Sequence, residues 1–212
     1  MRYLISFILL LSLQFNSFAH YPAPFWGYKI GEQVTDFTLK NIDGKMISLS
    51  QFTKAKAIVL IFTCNHCPFS IAYEDRIIAL DKVFRKKGVQ MVLINPNDPS
   101  IEAAKEDSFD EMKKRANEKK FNFPYLFDEK QEVFPRFGAT KTPDCFIVKP
   151  QDKGFVLAYR GAFDNNKETA QVTEKYLENA LNAILAGKSP NPAETKAFGC
   201  SIKCNDKSKL GK

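Results

Sequence analysis

Two cysteines stand two residues apart in Cys64-Asn65-His66-Cys67, where an apolar run, Ala57 to Phe62, gives way to Pro68 and a helical pattern. Thiols at that spacing can bridge, and a helix N-terminus offers backbone N–H groups that stabilise a thiolate. The pair suits disulfide exchange, in which one sulfur attacks and the other resolves, so the dithiol is its own cofactor and no metal is called for. His66 precedes the second cysteine, where an imidazolium favours a thiolate and makes a Cys64–Cys67 disulfide more oxidising. A loop histidine without a role is the plain alternative.

The chain has five cysteines, Cys64, Cys67, Cys145, Cys200 and Cys204, so at least one thiol is unpaired or shared. Cys145 falls at the start of an apolar run, where a small core residue is wanted. Cys200 and Cys204 sit in a C-terminal tail, where they can bridge each other, act as a second relay pair that docks on the first, or be oxidised haphazardly.

The elements that must position these residues read as strands alternating with helices. Val34 to Leu39 and Met46 to Leu49 alternate apolar and polar around the turn Asn41-Ile42-Asp43-Gly44, as a β-hairpin does. Ala57 to Phe62 is apolar throughout, the pattern of a strand buried on both faces, and Val89 to Ile94 repeats it. Between them, Ile71, Ala72, Ile78, Leu80 and Val83 mark the apolar face of a helix that starts at Pro68 and stops at Gly88. A charged helical stretch from Ile101 to Lys120, a short strand near Pro124 to Phe127, a helical turn from Glu129 to Phe137, strands at Cys145 to Val148 and Val156 to Tyr159, and a helix from Glu168 to Leu185 follow. This order predicts an α/β fold with parallel strand pairs.

Residues 1–19 read as a signal peptide: Arg2, an apolar run from Tyr3 to Leu13, then Ser17-Phe18-Ala19, with cleavage leaving His20 first. That run is well short of the roughly 20 residues of a membrane-spanning helix, so no span is expected in the mature protein. Residues 20–33 form an arm rich in Pro, Gly and aromatics, 34–187 the single domain, and 188–212 a Pro, Lys and Ser tail that carries Gly199-Cys200-Ser201-Ile202-Lys203-Cys204. Export, to the periplasm or beyond, puts the cysteines where disulfides persist. Loss of Arg2 from 31 basic residues against 24 acidic ones leaves a mature net charge of +6, with Lys and Arg in short scattered clusters. Such clusters usually solvate helix faces, and without a recognition motif no nucleic-acid partner is expected.

The strand–CxxC–helix unit resembles the thioredoxin-like superfamily from about Gly31 to Gly187, in the branch with an added N-terminal hairpin shared by TlpA-type oxidoreductases and AhpC/TSA-type peroxiredoxins. Phe62-Thr63-Cys64-Asn65-His66-Cys67-Pro68, Ile94-Asn95-Pro96-Asn97-Asp98, Thr142-Pro143-Asp144, Tyr159-Arg160-Gly161 and the Gly199 to Lys203 tail resemble a bacterial peroxiredoxin-like group. That group usually has Trp where this chain has Cys204. The resemblance implies a thioredoxin fold with an N-terminal hairpin and a central mixed sheet flanked by helices. It further implies that Thr142-Pro143 is a cis-proline unit facing the cysteines and binding substrate backbone, with protein thiols or disulfides and a redox partner as the partners. Thioredoxin-like chains place four residues between the strand-ending Phe and the nucleophilic Cys; here that count from Phe62 lands on Cys67. Cys67 is then the helix-capping thiolate and Cys64 its partner, the reverse of the usual motif order.

Three rival readings use the same residues. A thiol peroxidase would use Cys67-Pro68 with Cys64 or Cys200 resolving a sulfenic acid, but the Pro-x-x-x-Thr-x-x-Cys pattern of peroxiredoxins is absent and Thr63 is one position too far upstream. A Sco-like copper site would need a distal histidine, and the chain offers only His66 and His20. A four-cysteine zinc site from Cys64, Cys67, Cys200 and Cys204 is less favoured than a redox pair.

Overall fold

A computed structural model of the chain describes residues 27–211. The expected signal segment 1–19 and the arm as far as Trp26 lie outside the described residues. In chain order the elements are β1 (Gln33–Val34), β2 (Thr38–Asn41), β3 (Met46–Ser48), β4 (Ala57–Phe62), α1 (Pro68–Phe84), β5 (Val89–Asn95), α2 (Phe109–Lys119), β6 (Tyr125–Phe127), α3 (Phe134–Phe137), β7 (Lys141–Thr142), β8 (Asp144–Gln151), β9 (Gly154–Gly161), α4 (Tyr176–Leu185) and β10 (Cys200–Ser201).

Eight strands form one mixed sheet in the order β1-β9-β8-β4-β5-β6-β2-β3, while β10 and β7 make a separate ribbon. The middle strands β4, β5 and β6 run parallel, and β8 returns antiparallel beside β4. All six residues of β4 are buried. Because side chains alternate, Ala57, Val59 and Ile61 join Tyr73, Ile77, Met112, Leu177 and Leu181 from α1, α2 and α4 on one face. Ile58, Leu60 and Phe62 meet Phe134, Phe137 and the tail residue Ile202 on the other. Each of the larger side chains contributes roughly 1.5–3 kcal/mol by burial, so the strand that leads into Cys64 is firmly held.

The structure departs from the sequence reading at four places. The run from Val34 to Leu39 divides: Val34 pairs with Phe155 of β9 at one sheet edge, whereas Thr38–Asn41 pairs with β3 and β6 at the other. Both halves alternate in polarity, so periodicity alone hides the break between them.

In α1 the expected face is only partly right: Leu80 is buried and Ile78 packs against the core, but Ile71 is 40% and Val83 51% exposed. The buried stripe is Ser70, Tyr73, Glu74, Ile77, Leu80, Asp81 and Phe84. Two acids occupy it because each has an arginine: Arg115 donates to both Glu74 oxygens at 2.7 and 2.6 Å, and Arg85 Nη2 to Asp81 Oδ2 at 2.6 Å.

The stretch from Ile101 to Lys120 is a 3-10 turn, Glu102–Asp107, followed by α2, whose N-cap Ser108 Oγ accepts from the Glu111 N–H at 3.4 Å. Lastly, α4 starts at Tyr176 and not at Glu168. Asn165 Oδ1 accepts from the backbone N–H groups of Thr173 and Glu174 at 3.0 and 3.1 Å, committing those peptides to a loop.

Candidate active site

Strand β4 delivers its chain end into the turn Thr63 to Cys67, and Thr63 N–H still donates to the Ile94 carbonyl at 2.9 Å, continuing the β4–β5 ladder. Cys67 is the N-cap of α1 with extended backbone, and Pro68 follows at the first helical position. The Thr142–Pro143 peptide bond is cis. Thr142 touches both sulfurs: its Oγ1 is 3.2 Å from Cys64 Sγ, and its carbonyl oxygen is 3.4 Å from Cys67 Sγ. Ser70 Oγ lies 3.7 Å from Cys64 Sγ.

The disulfide present is Cys67–Cys200, with a Cα–Cα distance of 6.1 Å, and not the expected Cys64–Cys67 bridge. Its cause is the tail ribbon: β10 runs antiparallel to β7 with Cys200 opposite Thr142, which sets the tail sulfur beside Cys67. Neither do Cys200 and Cys204 bridge each other. Cys204 is buried in the core with Ile202, and its thiol donates to the Asp206 carbonyl at 3.1 Å. Cys64, Cys145 and Cys204 are free and buried. Cys145 packs in the helix-covered face of the sheet, and burial pushes its thiol well up from the ordinary value.

Beneath the motif lies a polar hub that the sequence did not announce. Asp107, fully buried, accepts from the backbone N–H of Asn65 at 2.6 Å, from His66 Nδ1 at 2.6 Å, and from the amides of Asn97 and Asn95 at 2.7 and 3.3 Å. Tyr125 OH donates to Asn65 Oδ1 at 2.9 Å and Asn65 Nδ2 to the Glu106 carbonyl at 2.7 Å, so both ends of the Asn65 side chain are held. Asn95 and Asn97 lie within one of the quoted motifs, but Asp107 closes a charged run that reads as a solvated face.

Burial raises the Cys64 thiol above its ordinary value, and the Asp107 charge raises it further. Contacts from Thr142 and Ser70 and the Cys67 backbone N–H oppose that shift. Ligand atoms of Cys64, His66 and Asp107 lie within 4.8 Å of one another, as a metal site would require. The four donors on Asp107 already match the lone-pair capacity of a carboxylate, which makes it a hydrogen-bond hub in preference to a ligand.

Asp144, the residue after Pro143, is the other buried acid of this region. Burial raises its carboxyl to about 8, against contributions from the Thr140 and Cys145 backbone and from Arg160. It therefore holds its proton when folded at pH values where the unfolded chain, near 3.8, has lost it. Stability from this group is complete below about 3.8 and is lost as pH rises through about 8. Asp144→Asn is expected to flatten that loss, so that between pH 6 and 9 its Tm falls less than the wild-type Tm. Parallel melting curves across that range would refute the assignment.

A sheet with three parallel central strands, α1, α2 and α4 on one face and α3 on the other, and a cysteine pair where β4 meets α1 beside a cis-proline defines a thioredoxin-like fold. Residues 30–160 match the AhpC/TSA family, and the chain belongs to that family. A crystal structure of an uncharacterized conserved protein from Geobacillus kaustophilus is 36% identical, with 84% of this chain and 93% of that one covered and a TM-score of 0.76. Among curated proteins, the chain is 28% identical over 165 residues to the chloroplastic peroxiredoxin Q of Populus jackii, covering 73% of this chain and 67% of that protein. It is 20% identical over 178 residues to the thiol-disulfide oxidoreductase ResA of Halalkalibacterium halodurans, covering 84% and 92%.

Proposed function

We propose that this protein is an extracytoplasmic thiol-disulfide oxidoreductase that exchanges disulfides with protein substrates through Cys64 and Cys67. The observation that carries the reading is a free Cys64 thiol and a disulfide-bonded, helix-capping Cys67 held against one residue, Thr142. The likeness to ResA supports it. In the reduced form Cys67 attacks a substrate disulfide as thiolate, helped by the N-terminus of α1, and a mixed disulfide forms as the substrate's second sulfur leaves. Cys64 then attacks Cys67 Sγ, closing Cys64–Cys67 and releasing the substrate thiol. Thr142 and Pro143 would align the substrate backbone by strand pairing.

His66 has a side chain 18% exposed and is anchored through Nδ1 to Asp107, so its ring has a fixed orientation at the rim of the site. It would tune the thiolate there. The dithiol serves as the cofactor. Among the described residues no helix is long and apolar enough to cross a membrane. The Cys67–Cys200 disulfide fits an oxidising compartment, in line with the proposed signal peptide.

Turnover of a peptide disulfide with glutathione as reductant tests the reading. Because the Cys64 thiol is raised, the resolving step is expected to speed up with pH towards and beyond the ordinary thiol value of 9.0, and Asp107→Asn to move that rise to lower pH. A pH-independent resolving step, or one that Asp107→Asn leaves in place, would contradict the role given to Cys64. The likeness to peroxiredoxin Q and the Cys67-Pro68 helix start favour a second reading, a thiol peroxidase. It would win if the protein consumes hydrogen peroxide with Cys67 passing through a sulfenic acid and leaves peptide disulfides untouched.

A further inference from the structure

An extended substrate chain would need two things at this site, the β7 edge at Thr142 and the sulfur of Cys67. Both are taken by the protein's own tail. The β10 strand pairs Cys200 with Thr142 and Ser201 with Lys141, and Cys200 is bonded to Cys67. The flanking residues are fitted as a bound peptide would be. Gly199 has φ +155, and a Cβ there would collide with the Thr142 carbonyl, so a residue without a side chain is needed. The Phe198 ring lies 6.2 Å from Phe69 and 6.4 Å from Tyr73, both on α1. Ile202 is 2% exposed; its N–H donates to the Thr140 carbonyl at 3.2 Å. Lys203 N–H donates to Asn97 Oδ1 at 2.8 Å, and its carbonyl accepts from Gln131 Nε2 at 2.9 Å and Asp98 N–H at 3.0 Å.

We infer that residues 198–203 are an internal substrate segment and that Cys200 is a third redox-active cysteine, whose disulfide with Cys67 closes the site until Cys64 opens it. The Cys64 thiolate attacks Cys67 Sγ; the Cys64–Cys67 bond forms, the Cys67–Cys200 bond breaks, and Cys200 leaves as thiolate. One disulfide and one thiol are present before and after, and the proton lost by Cys64 is taken up by Cys200, so no outside oxidant or reductant is needed. Placement supports the step, since Thr142 touches both Cys64 Sγ and Cys67 Sγ. Opening frees the β7 edge for an extended partner segment of the tail's own kind, with Gly before its cysteine and an aliphatic residue two positions after it. This inference rests on the exchange reading above and deepens it.

The test uses the full chain as wild type, Cys64→Ser and Cys200→Ser, each oxidised, acid-quenched and mapped by mass spectrometry, with trypsin cleavage after Lys203 reporting tail release. Wild type is expected to hold both Cys67–Cys200 and Cys64–Cys67 linkages, Cys64→Ser only the first and Cys200→Ser only the second. Cleavage after Lys203 should be about ten-fold faster in Cys200→Ser than in Cys64→Ser, because proteolysis follows the population of the open form. Reduction of wild type with a phosphine should accelerate the same cleavage and does not depend on either variant folding. Absence of a Cys64–Cys67 linkage from both wild type and Cys200→Ser, or a tail equally protected whether oxidised or reduced, would overturn the inference. The two readings separate with an added Gly-Cys-Ser-Ile peptide, supplied as its free thiol, which would attack Cys67 Sγ of the Cys64–Cys67 form in place of Cys200 and release Cys64 as thiolate. A wild type that partitions between both linkages yet never exchanges with the peptide defeats the substrate reading and leaves the relay standing. Equal exchange rates for wild type and Cys200→Ser defeat the relay alone.

Discussion

Cys67→Ser is expected to lose exchange with a peptide disulfide by at least about 10³-fold, since the attacking thiolate itself is removed. Cys200 should become a free thiol in the same protein, as its only bonded partner is gone. A Cys64→Ser, Cys200→Ser double variant is expected to behave differently, with Cys67 still able to attack and a mixed disulfide accumulating because neither sulfur that can bond Cys67 remains to resolve it. The asymmetry follows from position. Both sulfurs are buried, but Cys67 caps α1 and borrows its N-terminus, whereas burial and the Asp107 charge hold the proton on Cys64. Mass spectrometry of trapped mixed disulfides checks this, and accumulation on Cys64 in the Cys67→Ser protein would reverse the assignment.

Asp107→Ala is the change expected to damage the fold most within the site. It strands four donors, from Asn65, His66, Asn95 and Asn97, in a buried setting. Bonds to a charged acceptor are worth about 1.5–3 kcal/mol each, and with water replacing part of them the net loss should be about 3–5 kcal/mol. For a domain of this size that is roughly 6–20 °C in Tm. Asp107→Asn keeps the shape and some of the acceptors, so it should recover a large part of the stability while still lowering the Cys64 thiol towards its ordinary value, which thiolate absorbance reads directly. An Asp107→Ala protein that melts with wild type would show that water, and not this carboxylate, satisfies the motif.

The sequence carried the site's chemistry further than its wiring. Local signals were enough for β4, with six apolar residues in a row, and for Cys67 as cap, where Phe62, Pro68 and the residue count agree. The parallel pairing of β4 with β5 and of β5 with β6 followed from alternating elements. What escaped was settled by partners distant in the chain: Asp107 looks like surface until Asn95, Asn97 and the motif close over it, and Glu74 and Asp81 turn inward only because Arg115 and Arg85 meet them. The Cys67–Cys200 bridge spans 133 residues, and no spacing rule links sulfurs that far apart. The gate on the tail was a ribbon of two residues per strand, too short to leave a periodic trace.

The central claim is that Cys67 anchors a reversible dithiol couple. A redox titration in glutathione buffers tests it most directly, with alkylation and mass spectrometry reporting Cys64, Cys67, Cys145, Cys200 and Cys204 one by one. The expected result is a two-electron transition in which Cys67 is always one partner and Cys64 or Cys200 the other, at a potential between about −270 mV for a reductant and about −120 mV for an oxidant, while Cys145 stays reduced throughout. A Cys67 that forms no reversible disulfide with either partner anywhere in that range would contradict it.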